Sequence, residues 1–257
     1  MPIMPDKKGC AMLDGLLDPL RWSVTLDNLD DFWAGFAFTV QVVLAGLALS
    51  LLLGMMLGVF STTRSRILRG ISRVYVEFYQ NTPLVVQVFF MYTVGPQVLQ
   101  ALTASASPVR IAPFVLGYLG VGLYHAAYVS EVIRTGIESV PKGQPEAAES
   151  QGFSRIQAYA YVILPQTMKV ILPPLCNQAL NLVKNTSVLA LIAGGDLMYR
   201  ADNFVSTYGY LQGYIVCCGM YFLICFPLAL LVQYLEKKSK RLPQAKAAPV
   251  ATTAEEA

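Results

Sequence analysis

Apolar residues run in long stretches along this chain, and short polar islands separate them. Residues 36–60 carry no charge. As a helix rising about 1.5 Å per residue, a run of that length crosses a hydrocarbon core of about 30 Å. Further apolar stretches occupy residues 84–102, broken at Gly95-Pro96; 111–130; 170–195, interrupted by Pro173-Pro174 and Lys184; and 210–235. The pattern predicts an all-α, polytopic membrane protein of about five spanning helices. Gly54 and Gly58 form a G-x-x-x-G in the first span, which lets another helix approach closely. Positive charge sets the sidedness. Arg64, Arg66, Arg69 and Arg73 follow the first stretch, Arg134, Lys142, Arg155 and Lys169 surround a polar island at 145–165, and Lys237, Lys238, Lys240, Arg241 and Lys246 follow the last. The positive-inside rule makes these segments cytoplasmic, with the N-terminus outside and the C-terminus inside. Residues 1–31, ending in Asp27, Asp30 and Asp31, then read as an external arm without signal-peptide character. Residues 32–242 form the membrane domain, and 243–257 read as a disordered cytoplasmic tail.

The island at 145–165 is too polar to span a membrane. Pro145 suits a first helical position, and Glu146 and Glu149 place negative charge against the positive end of the helix dipole. Gly152 can take the left-handed conformation that ends a helix, and Ser154 with Gln157 forms a capping box that starts the next. In that second helix Ile156, Tyr159, Ala160 and Ile163 share one face. Two helices are thus expected to meet at a sharp corner. The spacing of Glu146-Ala147-Ala148, Gly152 and Val162-Ile163-Leu164-Pro165 resembles the EAA loop of membrane subunits of ATP-binding-cassette importers, with Val162 where the pattern has Ile. The resemblance implies a type I importer fold in which the loop is cytoplasmic. Its short helix, with Glu146, Ala147, Ala148, Glu149, Gly152 and Phe153 as coupling residues, docks in a groove of the ATPase subunit.

Composition agrees with the membrane reading: the chain is 55% hydrophobic and 14% charged, against roughly 25% charged in soluble domains. A net charge of +3, distributed by loop, makes nucleic acid an unsuitable partner. The five cysteines contain no C-x-x-C, and neither a metal site nor a disulfide framework is indicated. No P-loop, H-E-x-x-H or nucleophile elbow occurs. No catalytic residue is expected, and ATP with its Mg must be bound by a partner.

Polar groups inside apolar stretches need a partner or water. Gln80, Asn81 and Gln87 surround a Thr-Pro-Leu-Val-Val run that resembles the R-G-T-P-L-L-V-Q motif of polar-amino-acid importers, with Gln80-Asn81 in place of Arg-Gly. These residues either pack helices or line a pathway. His125, the one histidine, lies within a span and either meets a neighbouring helix or lines a cavity, while Glu131 and Arg134 are spaced to pair. Asn177, Asn181 and Lys184 place polarity on one helical face. The run through Asn185, Thr186 and Ser187 is similar to the N-x-x-K-N-T-S-L stretch of the same importers, which approaches the translocation pathway. Lys184 either holds a substrate carboxylate or pairs with an acidic neighbour. The substrate-pathway candidates are therefore Gln80, Gln87, His125, Asn181, Lys184, Asn185, Thr186 and Ser187. The family implies a bacterial inner-membrane permease for polar amino acids, working with a second permease subunit, identical or paralogous. Two cytoplasmic ATPases and an extracytoplasmic solute-binding protein complete the assembly. An ion-gradient-driven secondary transporter or channel is the alternative, but such proteins carry internal repeats that five spans do not divide into.

Overall fold

The computed structural model describes residues 15–104, 107–141 and 143–240, and among these every regular element is helical. Part of the expected N-terminal arm and all of the expected tail at 243–257 lie outside the described residues. The described end of the arm is built into the fold. Helix α1 (Pro19–Asp27) starts at Asp18, whose side chain accepts from the Leu20 N–H. Gln212 Nε2 donates to the carbonyls of Gly15 and Leu16, and the Arg21 guanidinium lies 5.2 Å from the centre of the Tyr210 ring.

Helix α2 (Leu29–Thr62) carries the charge-free run and packs along α6 (Pro113–Glu138). The two approach closely because glycines remove side chains from the contact. A Cβ on Gly54 would lie 2.5 Å from Val129 Cγ1, and one on Gly58 2.5 Å from Ile133 Cβ. The G-x-x-x-G thus serves a helix of its own chain. The arginine cluster after α2, read from its charge as a cytoplasmic segment, forms helix α3 (Arg66–Gln80). Ser65 accepts from Leu68 N at its start, and its Ser72 hydroxyl donates to the Leu57 carbonyl at 2.8 Å. Farther along, the Tyr75 hydroxyl donates to the Leu123 carbonyl.

Thr82-Pro83 interrupts the chain before α4 (Leu84–Thr93), and α5 (Gly95–Thr103) follows at the expected Gly95-Pro96 break. After α6 come α7 (Gly143–Ser150), a short α8 (Arg155–Ala158), a π turn (Tyr159–Ile163) and α9 (Leu164–Asn185). Pro173-Pro174 does not interrupt α9, contrary to expectation: the helix runs through both prolines. A 3-10 turn (Thr186–Ile192), α10 (Leu197–Tyr208) and α11 (Gln212–Lys240) complete the chain. Leu29–Thr62, Leu84–Thr103 and Gln212–Lys238 are long and apolar enough to cross a membrane.

One core joins Val42 of α2, Val88 of α4, Val121 of α6, Leu182 of α9 and Leu189 of the 3-10 turn. A second joins Phe32, Leu197, Phe204 and Met220 near the start of α2. Leu44, Leu52, Phe90, Phe222 and Leu223 are exposed, an arrangement suited to lipid, where burying apolar side chains inside the protein offers no advantage over leaving them outside.

Candidate functional site

The island folds as two helices around a left-handed corner. Glu146 lies in the first turn of α7, which begins at Gly143, slightly before the expected Pro145. Gly152 has φ +87°, a conformation other residues resist because their Cβ crowds the backbone. Around it the Gly152 N–H donates to the Glu149 carbonyl and the Phe153 N–H to that of Ala148, the paired bonds that satisfy the last carbonyls of a helix. The capping box forms both its bonds: Ser154 N–H donates to Gln157 Oε1 at 2.8 Å, and Gln157 N–H to Ser154 Oγ at 3.4 Å. Ala148 is buried within the subunit, whereas Glu146, Ala147, Glu149, Gly152 and Phe153 are exposed. The island therefore presents an acidic, small-residue face with one aromatic.

Beyond the corner the buried face differs from the expected one. Ile156 and Tyr159 are exposed, as is Ala160; the inward residues are Ala158, Ile163, Thr167 and Ile171. The first step in that series is one residue longer than the others because the π turn holds an extra residue, so a regular 3.6 period extrapolated from Ile156 goes out of phase. From the turn, α9 continues without a break to Asn185.

At the far end of α9 lies a polar cavity of about 270 Å³. Tyr124, His125 and Tyr128 of α6 form one wall, and Gln178, Asn181, Lys184 and Asn185 of α9 the other. A Cβ on Gly46 would meet Val121, as one on Gly54 meets Val129. His125 therefore sits level with the middle of the charge-free run. It is 2% exposed. Its Nδ1 lies 3.3 Å from Gln178 Oε1 and its Nε2 3.0 Å from Asn185 Nδ2. The Tyr124 and Tyr128 hydroxyls are 2.9 Å apart. No Asp or Glu lies within ion-pair distance of Lys184 among the described residues.

The other expected pathway residues are placed differently. Gln80 lines a separate cavity of about 630 Å³ with Arg69, Arg73 and Glu77 of α3 and Glu131 and Arg134 of α6. There Arg134 pairs with Glu131 at 2.6 Å, as its spacing predicts, and also with Glu138 at 2.7 Å. Gln87 lines neither of these two cavities: it is buried, its Nε2 donates to the carbonyls of Tyr79 and Thr82 and to Thr82 Oγ1, bridging the break between α3 and α4, and its Oε1 has no hydrogen-bond partner. Thr186 is also fully buried, its hydroxyl donating to the Val183 carbonyl. The Ser187 hydroxyl donates to the Lys184 carbonyl. Asn177 is exposed outside the cavity. Tyr124, Tyr128 and Gln178 are lining residues that the sequence reading missed, although Tyr124 and Tyr128 are one helical turn apart and Gln178, Asn181 and Asn185 follow helical spacing.

Near the start of α2, Asp196 caps α10 by accepting from the Met198 N–H, and its other oxygen has no hydrogen-bond partner. Burial pushes this carboxyl up to about 6, against the opposing effect of backbone donors. Arg200 of α10 pairs with Asp31 of α2 at 2.5 Å.

Residues 34–241 match the family described as "binding-protein-dependent transport system inner membrane component". The chain is 39% identical over 220 residues to the probable glutamine ABC transporter permease protein GlnM of Bacillus subtilis, covering 85% of this chain and 98% of that relative. It is 31% identical over 215 residues to the glutamate/aspartate import permease protein GltJ of Escherichia coli, covering 82% and 87%. Among solved structures, an amino acid ABC transporter crystallised with histidines matches with a TM-score of 0.73 at 28% identity, over 84% of this chain and 97% of that one. A bacterial transporter involved in import of the polysaccharide alginate, 16% identical with a TM-score of 0.62 over 94% and 91%, has the same fold.

Proposed function

We propose, for a chain that belongs to the family of binding-protein-dependent transport system inner membrane components, that it forms part of the translocation pathway of an ATP-driven importer of polar amino acids and is coupled to its ATPase through α7. The observation that carries this reading is continuity. A single run of helix, from the π turn through α9, joins the corner at Gly152 to the polar cavity holding Asn181, Lys184 and Asn185. A displacement of α7 is passed along that run to the cavity wall.

In this reading five spans place the N-terminus outside and α7 in the cytoplasm, in line with the positive clusters. A second permease subunit completes the pathway, two ATPases bind ATP and Mg, and an external solute-binding protein delivers the amino acid. The relatives' names supply the substrate class: glutamine for one and glutamate or aspartate for another. The chain itself makes and breaks no bond. The exposed Glu146, Ala147 and Phe153 form the docking face, and Gly152 aims it.

The test is Gly152→Val in the complete complex reconstituted in proteoliposomes. A β-branched residue resists the positive φ, at a cost of about 1 kcal/mol or more. Uptake should fall at least several-fold, with ATPase subunits lost or hydrolysis no longer responsive to the binding protein, while the membrane helices melt as in wild type. Uptake that persists without ATP and collapses with an ionophore would instead identify a gradient-driven carrier. Normal uptake and normal ATPase retention in the variant would remove the loop from the coupling role.

A further inference from the structure

Helix α3 carries three faces. At about 100° per residue, Ser72, Tyr75 and Val76 share the face turned to the protein, where Ser72 meets the Leu57 carbonyl of α2 and Tyr75 that of Leu123 in α6. Arg66, Arg69, Arg73 and Glu77 fall on a second face, and Ile67, Ile71, Val74 and Phe78 on a third. Gly70 lies between these last two. The bond to Leu57 sets α3 beside the charge-free run of α2, yet each of the four apolar residues is more than half exposed. They line an apolar groove of about 580 Å³, while the basic face lines the cavity of about 630 Å³ that also holds Glu131 and Arg134. Arg66 and Gly70 belong to both, so groove and cavity meet at these two residues.

We infer that α3 seats one anionic phospholipid, its phosphate held by Arg66 and Arg69 and an acyl chain laid along the apolar groove. Charge supports the headgroup end. Arg73 is committed to Glu77, and Arg134 to Glu131 and Glu138, whereas no carboxylate lies within ion-pair distance of Arg66 or Arg69 among the described residues. These two guanidiniums, three residues apart, are open to an anion, and their planar donors match phosphate oxygens. Length supports the chain end. From Ile67 to Phe78 the groove follows the helix for about 16 Å, close to half of a hydrocarbon core of about 30 Å, the depth of one leaflet. Gly70 connects the two: a Cβ there would meet nothing within 4 Å, and its absence leaves the way from the basic cavity to the groove open. A soluble anion would use the cavity alone, and a zwitterionic lipid would bring a cation of its own to the guanidiniums. Basic pockets beside membrane helices hold anionic headgroups by this chemistry.

The experiment uses the complete transporter, purified in detergent and stripped of lipid. Thermal melting is followed as phosphatidylglycerol, phosphatidylcholine or sn-glycerol 3-phosphate is added. Phosphatidylglycerol should raise the melting temperature saturably, with one molecule retained per copy of this chain in native mass spectrometry, and the other two should do neither. Arg66→Gln combined with Arg69→Gln should weaken the phosphatidylglycerol response at least about tenfold, since each basic side chain near an anionic headgroup contributes about fivefold. Gly70→Leu, which keeps both guanidiniums but closes the way between cavity and groove, should weaken it comparably. Without added lipid both variants should melt with wild type, because all three positions are exposed. An unchanged response in both variants overturns the inference. So does an equal response to phosphatidylcholine, which would mark an unspecific lipid belt. A response to glycerol 3-phosphate that matches phosphatidylglycerol and survives Gly70→Leu would mark a soluble phosphate site instead, and overturns it too. Finally, a photoactivatable maleimide on Ile71→Cys should cross-link lipid. Cross-linking to the second permease subunit above the wild-type background would assign the groove to the subunit interface and overturn the lipid seat.

Discussion

Ala147 and Ala148 are neighbours in sequence, but one is exposed and the other is buried against the subunit. Their enlargement should therefore fail in different ways. Ala148→Trp overfills a closed contact between α7 and the segment after it, at about 1–3 kcal/mol or more, and should lower the melting temperature of the isolated subunit. Ala147→Trp should leave melting unchanged and reduce ATPase retention in pull-down from the assembled complex. A lowered melting point for Ala147→Trp alone would reverse the assignment of faces. This distinction was not legible in the sequence, because an E-A-A motif at the start of a short helix does not say which alanine turns inward. Residue identity was more informative inside the apolar stretches. A lysine or histidine there has few ways to be satisfied, so His125, Asn181, Lys184 and Asn185 were identifiable one by one. Gln87 and Thr186 passed the same filter for another reason: the Gln87 amide N–H groups and the Thr186 hydroxyl donate within their own neighbourhood, which is invisible without the path of the chain.

The α2–α6 contact shows what an element can reveal in advance. Gly54 and Gly58 indicated a close helix approach, and α6 supplies it through Val129 and Ile133. Gly58→Leu should force the pair apart. Overpacking of this kind costs about 1–3 kcal/mol, and thermal unfolding in detergent should shift down accordingly, with Gly70→Leu, which has open space around it, as the neutral control. An unshifted transition in Gly58→Leu would overturn the close approach of α2 to α6 at this glycine. Capping chemistry was equally legible, since Ser154, Gln157 and Gly152 act within a few residues of themselves. Elements governed by distant contacts were harder. Helix α3 was legible only as a charged cytoplasmic segment because its arginines dominate the pattern, yet its inward face is held by Ser72 and Tyr75 bonding to carbonyls of α2 and α6. Proline composition likewise overstated the break in α9, which runs through Pro173 and Pro174; a membrane helix tolerates an interior proline where neighbouring groups satisfy the carbonyls it frees.

At the scale of the whole molecule, the part proposed to dock and the part that lines the cavity belong to one stretch of chain, so the rotational setting of α9 about its own axis matters as much as its position. Each residue of an α-helix turns the chain by about 100°. The π turn at Tyr159–Ile163 holds one residue more than an α-helical turn would. A one-residue deletion there, such as removal of Ala160, should collapse the turn to ordinary helix and leave Gln178, Asn181, Lys184 and Asn185 facing the cavity. Removal of Leu172, within regular helix, should swing all four away by about 100°. Amino acid binding to the two deletion variants, read beside assembly of the complex, is expected to survive in the first and vanish in the second. The extra residue thus acts as slack in the chain's numbering: this short segment can absorb a change of length that the helix beyond it cannot.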